Sequence, residues 1–429
     1  MNIVAAYRKL VAMTVIVLSG LGVLVAMSAA PAAGAAGHVP TGDAFYVPPR
    51  PLAKAKPGTI IRSTPIAAVS SPTGAFGIPI SVYSGGAPAG ARAWRILYHS
   101  RAVNGRDIAV SGWVIAPTGR APRGGRVVVT WAHGASGLAD VCAPSKQADI
   151  ASGNASTSGP AGYGAWMPMV QKLLDAGYVI AATDYEGIGT PGLHPFGVGE
   201  SEGRSVLDAA RAARGLKAAA AARKVLVFGH SQGGHAALFA GELAASYAPE
   251  LRLLGVAAGA PGPDVEHTLP FVTSASVFNG FNVAFVEGFH AAYPQFDPAA
   301  VLTPEARAQA SIVDQKCLGG VAAALSSSPL VLAHNPLDIP ALKAIVVANS
   351  YGNRPAGAPL LVVQGTADTG VPKFVTDAFV KKACAAGDTV DYVLVPGANH
   401  GGELPAVADG IAAWFADRVS GAAATNTCT

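Results

Sequence analysis

The apolar run Lys224–Phe228 leads directly into Gly229-His230-Ser231-Gln232-Gly233, and an alanine-rich stretch suited to a helix follows. Strand, G-x-S-x-G turn and helix, in that order, force the serine onto a sharp turn whose hydroxyl stands clear of the sheet, with the helix N-terminus pointing at it. The glycines at 229 and 233 let the backbone close such a turn. In a chain with 51 glycines among 429 residues the five-residue pattern alone carries little weight. Its placement between a buried strand and a helix is what makes Ser231 a candidate nucleophile.

The rest of the chain fits that placement. Arg126–Trp131, Tyr178–Thr183, Leu251–Ala258, Leu360–Gln364 and Val390–Val395 read as near-continuous apolar strands. Trp166–Ala176, Ser205–Ala222, Gly234–Ala245 and Glu403–Val419 read as helices between or after them. Strands without polar alternation, separated by helices, predict an α/β fold with a mostly parallel central sheet covered on both faces. Ahead of it, Trp94–Pro117 reads as a hairpin turning at Asn104-Gly105, and the Pro-rich residues 36–66 read as an extended arm. The strand–helix rhythm stops at Gly262 and resumes at Pro359, too long an interval for a simple loop. Its aromatics (Phe271, Phe278, Phe281, Phe285, Phe289, Tyr293 and Phe296) predict a mainly helical cap above the C-terminal edge of the sheet, placed to set substrate choice. The organisation expected is a signal peptide over 1–35, the first part of the core with its arm over 36–261, the cap over 262–357 and the second part of the core over 358–429.

A serine nucleophile needs a base and a group that orients it. In an α/β-hydrolase the chain order is serine, acid, histidine. Asp368 follows the strand ending at Gln364, and His400 follows the strand ending at Val395, so both fall on loops at the edge where Ser231 sits. Asp264, just past another strand, is the rival acid. Asp184 is read as a loop brace, and His230 and His235 as locally bonded neighbours of the elbow. Stabilising the tetrahedral intermediate takes backbone N–H donors. Gln232, at the start of the helix, is the first expected donor; Gly134, in the loop His133–Gly137, is the second, with Ala135 close behind.

Other chemistries lack their residues. No paired glycosidase carboxylates, H-E-x-x-H, P-loop or dinucleotide fingerprint is present, so no metal or cofactor is expected. The net charge of +4 contains no basic cluster able to track a phosphate backbone, so nucleic acid is not an expected partner. Arg8 and Lys9 precede the apolar stretch Leu10–Met27, and Ala33-Gly34-Ala35 offers a cleavage site, the pattern of an export signal. After cleavage no long apolar span remains. Cys142, Cys317, Cys384 and Cys428 contain no C-x-x-C pair; an even number on an exported chain implies two disulfides, with three connectivities open. Asn154-Ala155-Ser156 is a glycosylation sequon.

Trp131–Gly134, Cys142–Ser145, Asp184–Gly189, Gly229–Ala236 and the Asp368 and His400 loops together resemble the secretory lipase family, exported fungal and actinobacterial lipases related to the A-type lipase of Candida. The resemblance covers essentially the whole mature chain. It implies an α/β-hydrolase core with a helical cap and a mobile flap, cofactor-free hydrolysis of acylglycerols and related esters, and the disulfides Cys142–Cys317 and Cys384–Cys428. The expected function is that of a secreted serine hydrolase acting on lipid or small ester substrates through Ser231, His400 and Asp368, with transient contact with a lipid interface. The alternatives are a short-chain carboxylesterase and a serine peptidase on the same core; the latter would need cap carboxylates such as Glu287 and Asp297 to hold an ammonium group.

Overall fold

A computed structural model describes residues 39–66, 90–146, 167–262, 264–272 and 276–428, and no side chains at 167–168 or 269–272. The export segment, the Asn154 sequon and the side chain of Phe271 therefore lie outside the described residues. In order come β1 (Ile60–Ile66), β2 (Ala91–Arg101), β3 (Asp107–Pro117), β4 (Arg126–Ala132), α1 (Met167–Asp175), β5 (Val179–Thr183), α2 (Gly199–Gly215), β6 (Ala221–His230), α3 (Gln232–Tyr247) and β7 (Arg252–Gly259). After the cap helices α4 (Val265–Val272), α5 (Asn279–Ala292), α6 (Pro304–Gln309), α7 (Leu318–Leu325) and α8 (Pro340–Ala348), the chain returns as β8 (Leu360–Gly365), α9 (Lys373–Ala385), β9 (Val390–Val395) and α10 (Glu403–Ser420).

The strands form one sheet in the order β1-β2-β3-β5-β4-β6-β7-β8-β9. The pairs from β5 across to β9 are parallel, while β1, β2 and β3 run antiparallel at the other side. The strands are apolar on both faces because both faces are covered. One carries α2, α3 and α9 through Leu207, Ala236, Leu243 and Phe379. The other carries α1 and α10 through Leu173, Trp414 and Phe415. Central β6 pairs with β4 through Phe228↔Trp131 and with β7 through Phe228↔Ala257, so its C-terminal end is held on both sides.

Four sequence expectations need adjustment. The arm is not extended throughout, since Gly42–Tyr46 turn as a short 3-10 helix, and its extended end is not free: residues 60–66 add an edge strand to β2, with Pro65 tolerated there. The hairpin turns through a five-residue connection between Arg101 and Asp107, with Asn104 Oδ1 accepting the Arg106 N–H. Helix α2 begins earlier than read, at Gly199, and the missing side chains of Gly199 and Gly203 let its first turns pack against Phe239 and Ala240 of α3. It stops at Gly215, and Ala221-Ala222 join β6 instead: Arg126 of β4 pairs with Ala221, and tertiary pairing overrides the helix preference of alanine. Helix α3 starts at Gln232, directly after Ser231.

The cap helices share an apolar cluster with Leu138, Phe196 and Val198 from the loops after β4 and β5. Phe281, Phe285 and Phe289 recur every four residues on α5, and the last two are buried. Cys142–Cys317 ties the loop after β4 to the start of α7, where Leu318 N also donates to Ser136 O at 3.0 Å. Cys384–Cys428 ties the end of α9 to the C-terminal tail, whose Thr427 N bonds Val390 O at 2.7 Å. Among the described residues no helix is long and apolar enough to cross a membrane.

Candidate active site

Ser231 occupies the turn between β6 and α3 with φ 58° and ψ −123°, a conformation that L-residues adopt only under constraint. Two close approaches impose it. A Cβ on Gly229 would lie 2.0 Å from Gly233 O, and one on Gly233 would lie 2.0 Å from Ala132 O, so neither position admits a side chain. Ser231 O accepts from His235 N and Gly262 N, each at 3.1 Å, which fixes the peptide ending in the Gln232 N–H.

His400, on the loop between β9 and α10, sets Nε2 3.0 Å from Ser231 Oγ and Nδ1 2.8 Å from Asp368 Oδ2. The carboxyl of Asp368 is buried, and its other oxygen accepts the N–H groups of Gly370 at 2.7 Å and Val371 at 2.9 Å. It is thus held by its own loop while one oxygen faces the imidazole. Asp264, the rival acid, instead bonds His267 Nδ1 at 2.8 Å at the start of α4. Gly134 lies close by: a Cβ there would stand 3.7 Å from Ser231 Cβ and 3.5 Å from His230 O. The structure therefore gathers Ser231, His400, Asp368, Gln232 and Gly134 at one sheet edge and leaves Asp264 to a different partner. In the cap, Asp297 accepts the Ala299 N–H at 2.8 Å as a helix cap, and burial raises the Glu287 carboxyl.

Asp184 is the brace expected of it. Fully buried, it accepts from Ser111 Oγ at 2.6 Å and from Ser145 N at 3.0 Å, and Ser145 Oγ bonds it as well. That contact joins two of the motifs that carry the family resemblance, Cys142–Ser145 and Asp184–Gly189.

The surroundings of the site contain groups that sequence reasoning left without a role. The His230 ring lies 4.6 Å from that of His400, and its Nε2 is 3.3 Å from Glu403 Oε1. Burial, then the neighbouring His400, hold the His230 imidazole well below its usual range, while burial pushes Glu403 up to about 8. On the opposite flank Glu202 Oε2 meets His235 Nδ1 at 2.7 Å, and Glu202 Oε1 accepts Gln232 Nε2 at 2.8 Å. Burial by itself would raise Glu202 and lower His235, but their mutual attraction and hydrogen bond outweigh it, leaving Glu202 below and His235 above its ordinary range. Nothing in a single sequence marks Glu202 or Glu403. One is a helix residue among small neighbours, the other the first residue of α10, and each acquires its meaning only by facing a histidine distant in the chain.

Residues 161–427, more than half of the chain, match the family described as Secretory lipase. Lipase A of Arthroderma benhamiae is 26% identical over 82% of this chain and 74% of its own length. Among solved structures, Candida antarctica lipase A is similar at a TM-score of 0.70 with 20% identity, covering 91% of this chain and 89% of that one. The rice cell wall degrading esterase LipA from Xanthomonas oryzae is similar at a TM-score of 0.65 with 20% identity, covering 86% of this chain and 99% of that one. The elbow, the parallel sheet and these matches agree: the chain belongs to the secretory lipase family and is a hydrolase of ester bonds.

Proposed function

We propose that this protein is an exported enzyme that cleaves the carboxylic ester bonds of acylglycerols and related lipid esters, using Ser231 as nucleophile, His400 as general base and Asp368 as the group that orients it. The observation that carries the reading is the unbroken hydrogen-bond chain from Asp368 through His400 to Ser231, at 2.8 and 3.0 Å. Ser231 Oγ attacks the ester carbonyl carbon while His400 Nε2 takes its proton. The carbonyl oxygen, now an anion, turns to the N–H groups of Gln232 and Gly134. Collapse of the tetrahedral intermediate expels the alcohol, protonated by His400, and leaves an acyl-enzyme. Water, deprotonated by the same imidazole, then releases the acid. No step calls for a cofactor.

One feature supports a lipid substrate: relatives are named lipases. Phe285, Phe289 and Phe296 of the aromatic segment pack in the cap's own apolar cluster. The likeness to a cell-wall-degrading esterase favours a second reading, preference for short soluble esters. A panel of p-nitrophenyl esters from acetate to palmitate separates the two. The expected outcome is kcat/KM rising with acyl length, and loss of activity in Ser231→Ala on the order of 10⁵–10⁶-fold, the scale for removing such a nucleophile. A preference for acetate or butyrate selects the short-ester reading. Ser231→Ala activity within about tenfold of wild type would remove the assignment of the nucleophile.

A further inference from the structure

Both expected oxyanion donors lean on one segment, residues 184–194. The C=O and N–H of a trans peptide point in opposite directions, so whatever grips a carbonyl also aims the N–H that follows it. The carbonyl before the Gly134 N–H belongs to His133, and the Tyr185 hydroxyl donates to it at 2.8 Å. The next peptide is gripped as well, since His133 Nδ1 lies 2.7 Å from Gly134 O. The second donor belongs to Gln232, whose side-chain Nε2 lies 2.7 Å from His194 Nε2. Burial keeps His194 below its usual range and hence neutral. Its Nδ1 sits 2.8 Å from Glu186 O and so carries the proton, which leaves Nε2 to accept from Gln232. The rings of Tyr185 and His194 are stacked, 5.6 Å apart and 14° from parallel, and His133 lies against the other side of Tyr185 at 4.4 Å. The stack thus spans the gap between the two donor residues.

Tyr185 is held at φ 70° although it carries a large, fully buried side chain. Its own N–H donates to Thr183 Oγ1 at 2.9 Å. Such a backbone persists only where its surroundings over-determine it, and strain of this kind concentrates at functional sites.

We propose that Tyr185 and His194 are positioning residues for the oxyanion hole: Tyr185, through His133 O, sets the direction of the Gly134 N–H, and His194, stacked on Tyr185 and bonded to the Gln232 side chain, holds that tyrosine in place. This rests on the reading of Ser231 as nucleophile and of the Gly134 and Gln232 N–H groups as the donors. It accounts for the Asp184–Gly189 motif as scaffolding behind the hole rather than as a substrate contact.

Tyr185→Phe removes one oxygen and keeps the ring. Losing a donor outright costs about 10²–10³ in kcat, and tilting one should cost roughly a tenth of that, about 10- to 100-fold. With p-nitrophenyl acetate the expected result is that fall in kcat with KM changed less than about twofold, the pattern of an interaction made only in the transition state. Phenylboronic acid, which forms a tetrahedral adduct on an active serine, should bind more weakly by a similar factor. His194→Gln tests the second arm in the same way and carries the test by itself should Tyr185→Phe not fold. A purely structural role would lower Tm and the active fraction but leave the per-site kcat and the boronate affinity unchanged. That result overturns the proposal, as does a kcat within about twofold of wild type in both variants. Ser231→Ala run alongside separates the two levels: if it stays active the nucleophile assignment fails, whereas an inactive Ser231→Ala beside a fully active Tyr185→Phe refutes the positioning role alone.

Discussion

Two histidines bracket Ser231, and each reaches a buried glutamate, yet the two flanks carry opposite charge states. His235 and Glu202 are a charged pair. Nδ1 meets the carboxylate at 2.7 Å, and Nε2 meets Asn349 O at 2.8 Å. The carboxylate also receives Gln232 Nε2 and Gly197 N, so both charges have partners for what they can donate or accept. His230 and Glu403 are a neutral pair. Their closest atoms are 3.3 Å apart, His230 lies against His400, and Glu403 lies near the charge of Asp368. Identical residue types in equally dry places thus end up charged or neutral according to hydrogen-bond geometry and to the sign of the next neighbour. The difference suits the chemistry proposed. His400 must become a cation when it takes the serine proton, and a neutral His230 at its side does not oppose that.

The contrast can be broken experimentally, and the largest effect is expected on the charged flank. Glu202→Ala leaves a buried imidazole without its counter-charge and should cost about 3–5 kcal/mol in urea unfolding; a loss under about 1 kcal/mol would mean that the pair is not ionised. The neutral flank should respond through pH. The Glu403 carboxyl is raised to about 8, so the folded protein holds its proton more tightly than the unfolded chain. Its stabilising contribution is complete below the ordinary carboxylate range and is lost as pH rises through about 8. Glu403→Gln has nothing to titrate there. Its stability relative to wild type should therefore climb between about pH 5 and about pH 8, by at most about 1.4 kcal/mol per unit, and then level off. A flat difference would put both flanks in the same charge state. The smallest effect is expected at a third pair of the same kind, His267–Asp264, which is 2.8 Å apart with the histidine side chain 40% exposed. His267→Ala should cost about 1–3 kcal/mol, because it strips the buried Asp264 carboxyl of one hydrogen bond that water reaching this half-exposed place replaces only in part, and should leave ester hydrolysis as it was. A severe loss of activity there would return Asp264 to consideration as the acid.

Much of the frame was legible without coordinates. Apolar runs bounded by turns located β4 to β9, because a strand covered on both faces has no polar alternation to obscure it. Ser231, Asp368 and His400 could be picked out because each follows such a strand, and a parallel sheet brings all C-terminal strand ends to one edge. Boundaries were less legible. Ala221 and Ala222 prefer a helix in isolation but pair with β4, and residues 60–66 carried no signal that β2 would take them as its edge.

What the sequence determined by itself is the architecture and the candidates for the three reacting groups, Ser231, His400 and either Asp368 or Asp264, since both follow from local pattern and chain order. The tertiary structure alone decided which acid faces His400, which carbonyls Tyr185 and His194 constrain, and which of two buried His–Glu pairs is ionised. Those outcomes depend on distances of about 3 Å between residues far apart in the chain, and an imidazole or carboxylate has no fixed charge until burial, hydrogen bonds and neighbouring charges are set against one another.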